Sequence, residues 1–190
     1  MNKDVKKITY IALCSVLNYV IFTYGKINIP LSTGNSTAIH IANAMVVFSG
    51  WILGPLYGGL AGAIGLSLAD LMDPRYITSA PKTFIMKFMI GAIAGYTANI
   101  LGLHNKTEKK EMAKIAAVSA GLALGFNVLV DPIFGYFYKT IILGIPQETA
   151  TIMASWSAGI TFINAIICLI IDVLLYLSLY KSIRRLRNEL

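Results

Sequence analysis

Charge is what this chain has least of. Only 13% of its 190 residues are Asp, Glu, Lys or Arg, and 56% are hydrophobic; soluble domains carry about 25% charged residues. That shortage excludes an ordinary soluble domain and predicts an integral membrane protein. Cysteine is equally scarce. The two present, Cys14 and Cys168, lie inside apolar runs, with no metal-ligand spacing and no basis for a disulfide framework. The chain also lacks the equipment of an enzyme. Gly65-Leu66-Ser67-Leu68 misses the closing glycine of a G-x-S-G pattern, and His104 falls in a charged loop, leaving His40 alone. No H-E-x-x-H, paired-carboxylate metal motif or Walker sequence occurs, so neither metal, cofactor nor ATP hydrolysis is expected. No small-residue cleavage site follows the first apolar run, which is read as a span rather than a leader.

What is present is a series of apolar runs, enough for about six spans of roughly 20 residues. The predicted fold is an all-α membrane domain, one unit over 1–190, with helices at about 8–25, 38–53, 55–72, 82–103, 113–138 and 150–180. The segment between the first two reads as a polar, non-helical loop, and Gly54-Pro55 as a tight break. Eleven of the 16 basic residues then fall on the side of the termini and the 104–114 loop. The other five are Lys26, Arg75, Lys82, Lys87 and Lys139, so both termini are expected in the cytoplasm. The same placement accounts for the net charge of +7 without nucleic acid. Gly54, Gly58, Gly62 and Gly65 form a small-residue face, and Gly91/Gly95 and Gly121/Gly125 repeat the spacing, as in tightly packed membrane helices.

Ionisable and amide side chains within spans are costly and mark sites or pathways by default. Here they concentrate toward the outer surface: His40 and Asn43, Asp70, Lys87, Asn127 and Asp131 at i and i+4, and Asn164 sharing a face with Ile160 and Trp156. Asp172 alone lies toward the cytoplasmic end. Such clustering predicts a cavity open to the outside for a small polar ligand, walled by Trp156, Tyr136 and Tyr76. Each residue also has a structural reading. Lys87 can snorkel, Asp131 can satisfy backbone freed by Pro132, His40 can be a helix-entrance hydrogen bonder, and the tyrosines can be interfacial anchors. A channel is not expected, because the inner half offers no polar lining beyond Asp172.

The stretch 40–96 carries a recognisable set of motifs: His40-x-x-Asn43, Gly54-Pro-x-Tyr-Gly58, a glycine-rich helix ending in Ala69-Asp70, then Pro81-x-x-Phe84 followed by Lys87. This combination resembles the S components of energy-coupling factor (ECF) vitamin transporters, in particular the branch assigned to pyridoxine and hydroxymethylpyrimidine. The resemblance implies a six-helix bundle in the plasma membrane of a bacterium, with a binding pocket near the extracellular surface and a lid at about 28–39. It implies three partners besides the lipid bilayer: a small vitamin-like ligand, a transmembrane scaffold subunit, and a pair of ATPases. Vitamin B6 is the first expected substrate and hydroxymethylpyrimidine the second. Lys87 and the other outer polar residues would serve as ligand contacts. The family's small-residue docking face on the first helix is degraded here, leaving Ala12 and Ser15 as its candidates. The alternative is a solitary facilitator or a membrane assembly subunit without a ligand.

Overall fold

The computed structural model describes residues 3–31 and 36–189. Helix α1 (Lys3–Tyr24) leads into strand β1 (Lys26–Pro30), which pairs antiparallel with β2 (Ser36–His40), Lys26 opposite His40. Then follow α2 (Ala42–Leu71), a 3-10 turn (Ile77–Ser79), α3 (Ala80–Ile100), α4 (Lys109–Phe137) running into a π turn (Tyr138–Ile142), and α5 (Gln147–Glu189). Among the described residues, five helical segments are long and apolar enough to cross a membrane.

Two expectations change here. The fold is not purely α, because the segment expected as a loop and as the start of a helix at 38 forms a hairpin. Thr37 and Ile39 are β-branched residues suited to a strand, and the helix begins only at Ala42. Residues 32–35 of the expected lid lie outside the described residues. The final helix also runs well beyond 180. At 1.5 Å per residue it is about 64 Å long, more than twice the hydrocarbon thickness of a bilayer.

Helix α2 is broken at its middle and consists of two arms. Gly54 has φ 81° and ψ −179°, followed directly by Pro55, a left-handed conformation that favours glycine. Beyond this point the chain turns back. A Cβ placed on Gly58 would sit 2.4 Å from the Gly50 Cα, and one on Gly62 would sit 2.5 Å from Val46 Cγ1. In a straight helix residues eight apart are separated by about 12 Å. The arms 42–53 and 55–71 are therefore antiparallel, and Asn43 and Asp70 return to the same end of the molecule.

Helix α3 closes on this elbow. A Cβ on Gly50 would lie 2.3 Å from the Gly91 carbonyl oxygen, and one on Gly95 2.7 Å from Gly50 O and Pro55 N. Such backbone-to-backbone packing replaces the hydrophobic drive that lipid does not provide. Gly121 and Gly125, by contrast, meet nothing within 4 Å, so their matching spacing is not used for packing. Below the site, Trp51 is fully buried, donates from Nε1 to Ser119 Oγ at 2.9 Å, and meets the Tyr176 ring edge-on at 5.4 Å.

Replacing Gly50 by Ala forces the α2 and α3 backbones apart and is expected to cost roughly 1–3 kcal/mol, whereas Gly121→Ala stays within roughly 0.5 kcal/mol. Thermal unfolding of the two variants in the same detergent checks this; equal losses would show that the glycine contact is not what holds the helices.

Candidate functional site

Bringing both ends of α2 together with the start of α3 creates a cavity of about 140 Å³. The hairpin contributes Leu31, Ser36 and Ala38; α4 and α5 close the opposite side. Seven of the nine residues expected at a ligand site line it: His40, Asn43, Asp70, Lys87, Asn127, Asp131 and Asn164.

Most of their polar atoms are already committed. Lys87, buried to 9% exposure, donates from Nζ to Asn43 Oδ1 at 2.9 Å. Thr83 Oγ1 donates to Asp70 Oδ2 at 2.5 Å. Asp131 accepts from Lys82 Nζ on one oxygen and from Ser157 Oγ on the other, both at 2.8 Å. Asp70 and Lys87 thus take separate hydrogen-bond partners rather than each other. Asn164 uses its amide to hold the hairpin: Oδ1 accepts from the His40 backbone N–H at 3.1 Å, and Nδ2 donates to Ala38 O at 3.0 Å. It lines the cavity, yet both ends of its amide are spent on β2.

Two buried polar atoms in this wall have no partner among the described residues: Asn127 Oδ1 and His40 Nδ1. An unsatisfied buried acceptor or donor costs about 1–3 kcal/mol, so these are the atoms a ligand would relieve. Phe22 meets the His40 ring edge-on at 5.0 Å and lies 6.4 Å from the Tyr76 ring. Lys26 Nζ sits 4.5 Å from the Phe22 ring and 4.7 Å from that of Tyr76. Below the aromatic pair, Lys26 and Arg75 both bind Asp73 at 2.8 Å. Arg75, then burial in opposition, then Lys26 set the Asp73 carboxyl well below its ordinary range. Tyr76 OH donates to Asn28 Oδ1 at 2.8 Å, tying β1 to the 73–79 turn.

A family model described as ECF-type riboflavin transporter, S component, matches residues 2–181. The chain belongs to that family. No curated protein matches it in sequence. S components are membrane transporter subunits rather than enzymes.

In this S component, two expected wall residues are elsewhere. Trp156 is 48% exposed and faces outward with Gly159 and Ile163. Each i+4 step drifts about 40° around a helix, so two steps from Asn164 carry Trp156 off the cavity face. Tyr136 follows Gly135 on α4, about 100° round from the row that carries Asn127 and Asp131, and its ring packs on Phe137 at 5.4 Å. Of the three expected aromatic residues only Tyr76 lines the cavity, and Phe22 joins it there. Sequence reading missed Lys82, Thr83, Ser157 and Lys139 as lining residues. Only Lys82, beside Pro81 at the start of α3, carried a signal, and its partner sits on another helix.

The docking candidates also separate. Ala12 lies on the exposed face of α1 with Leu13, Val16 and Leu17. Ser15 is buried, donates to Ile11 O at 2.9 Å, and packs against Gly65 of α2. Asp172 lies apart from the cavity, fully buried, with neither carboxylate oxygen partnered among the described residues.

Burial, then the Lys87 and Lys26 ammonium groups, push the His40 imidazole down to about 3. Burial followed by Arg187 and Arg184 does the same to His104, also to about 3. Both pKa values are lower folded than unfolded, so the unfolded chain takes up protons first as pH falls below about 6.5. Stability from these histidines is complete above that pH and declines steadily toward 3. Thermal melts between pH 7.5 and 5 are expected to show a falling midpoint, and His40→Gln combined with His104→Gln to flatten that fall. An unchanged slope in the double variant would contradict neutral burial of both rings.

Proposed function

We propose that this protein is the substrate-capture subunit of an ECF-type importer, taking a small water-soluble vitamin or precursor from the outer face of a bacterial plasma membrane. The observation that carries this reading is the cavity itself: Asp131 paired with Lys82, Asp70 and Lys87 held by uncharged partners, and Asn127 Oδ1 and His40 Nδ1 left open inside it. A wall of this kind favours a neutral or zwitterionic ligand that brings its own hydrogen-bonding groups. Both arms of α2 cross the membrane in this reading, making six spans with both termini in the cytoplasm, in keeping with the basic residues around 104–114 and 181–187. The scaffold subunit docks on the exposed face of α1 about Ala12, and a pair of ATPases drives release inside.

Vitamin B6 is the first choice of substrate and hydroxymethylpyrimidine the second. Each is a single heteroaromatic ring with hydroxyl or amino groups, matching a cavity of about 140 Å³ where drug-sized sites occupy about 300–1,000 Å³. Phe22 and Tyr76 supply apolar ring surface, and ligand hydroxyls meet Asn127 and His40. The second reading is riboflavin, favoured by the description of the matching family and disfavoured by the size of the cavity. A solitary facilitator would need no ATPases, and uptake in cells lacking them separates the two modes.

Binding of the B6 forms, hydroxymethylpyrimidine and riboflavin to purified protein, followed by calorimetry, tests the substrate. A single-ring vitamin or precursor is expected to bind, with Asn127→Ala weakening it about tenfold and Trp156→Ala leaving it unchanged. Preferential riboflavin binding would overturn the substrate choice. Binding by none of these compounds would overturn capture of this ligand class.

A further inference from the structure

A second polar cavity, of about 490 Å³, lies at the opposite end of the molecule from the vitamin cavity. It forms where the long C-terminal extension of α5 crosses the end of α3 and the 102–105 turn. Its charged lining groups are Arg184 and Arg187, joined by His104, Asn99, Asn105 and Asn188, and among the described residues no carboxylate lines it.

The two arginines are not equivalent. Arg187 caps the first arm of α2: Nη1 donates to Trp51 O at 2.6 Å and to Ile52 O at 3.4 Å, carbonyls near the break at Gly54, while Nη2 donates to Asn99 Oδ1 at 2.9 Å. Arg184 bonds through Nη2 to Lys106 O and Met112 Sδ, but its Nε is buried with no acceptor among the described residues. His104 is in a similar position. The Tyr176 hydroxyl donates to Leu103 O at 3.1 Å and lies 3.2 Å from His104 Nδ1, so Nδ1 carries the proton. That leaves Nε2 as a buried acceptor with no donor among the described residues. Among the described residues, two guanidinium groups share one cavity without a counter-charge, one N–H lacks an acceptor, and one imidazole nitrogen lacks a donor.

We infer that this cavity binds a phosphate monoester anion at the cytoplasmic end of the bundle, held by Arg184 and His104. A singly protonated phosphate satisfies both gaps. Its oxygens accept from guanidinium, the usual strong pairing, and its P–OH donates to His104 Nε2. Sulfate and phosphodiesters have the oxygens but not the proton. The anion is either free in the cytoplasm or the headgroup of a lipid with a terminal phosphate, since basic pockets between helices on that side suit lipid headgroups. This site is independent of vitamin capture and stands or falls separately from it.

Thermal stability of the full-length protein in neutral detergent, at constant ionic strength, tests the inference. The probes are inorganic phosphate, glycerol phosphate, short-chain phosphatidic acid and sulfate. At least one phosphate monoester is expected to raise the melting temperature well above the effect of sulfate, with Arg184→Gln weakening that response about tenfold. Asn188→Asp, at an exposed position, leaves both arginines in place and supplies a competing carboxylate; it is expected to abolish the response without loss of fold. A response to phosphatidic acid alone assigns the lipid source, and a response to the soluble esters assigns the free one. No stabilisation by any phosphate, equal stabilisation by sulfate, or an undiminished response in both variants would overturn the inference.

Discussion

Everything at the cavity end of this protein depends on backbone touching backbone at the α2 elbow. Gly50, Gly58, Gly91 and Gly95 approach so closely that no Cβ fits between the chains, and Gly54 adopts the left-handed conformation that lets α2 turn back. Without that reversal Asn43 and Asp70 would lie at opposite ends of one long helix. With it, they stand side by side against Lys87 and Thr83 of α3. The elbow itself is held at the far end by Arg187, which binds carbonyls of Trp51 and Ile52, and by Trp51 anchored on Ser119.

The cavity that results is lined by charged side chains, Lys82, Lys87 and Lys139 with Asp70 and Asp131. Burying charge in a low-dielectric interior is tolerable only with partners, and the wall supplies them: Lys82 and Ser157 for Asp131, Thr83 for Asp70, Asn43 for Lys87. These pairs fix side chains from α2, α3, α4 and α5 around one space. Asn164 extends the same logic to the hairpin, clasping β2 through two backbone bonds. In the proposed capture of a ligand, recognition falls to the few atoms left over, Asn127 Oδ1 and His40 Nδ1, and to the rings of Phe22 and Tyr76.

Much of this was legible in the sequence. Scarce charge and long apolar runs gave the membrane helices, Gly54-Pro55 the break, and the clustering of His40, Asp70, Lys87 and Asp131 toward one end the cavity. What was not legible depends on direction or on distant partners. Residues before 38 read as a polar loop and 38–40 as the start of a helix, but 36–40 pair as a strand with 26–30. Trp156 was placed on the Asn164 row by spacing that drifts over two turns. Lys82 and Ser157 find Asp131 only because three helices converge, and no local pattern announces that. Arg184 and Arg187 fall beyond the helix end expected at about 180, whereas α5 continues far enough to bring them to the carbonyls of Lys106 and Trp51.

The most direct test of the central claim is native mass spectrometry of the protein purified gently from cells grown with mixed vitamins, with the released small molecule identified. The account predicts one bound single-ring heteroaromatic vitamin or precursor per chain, lost when Asn127 and His40 are both replaced by alanine. A chain carrying riboflavin, or carrying no small molecule in a form that remains folded, would contradict it.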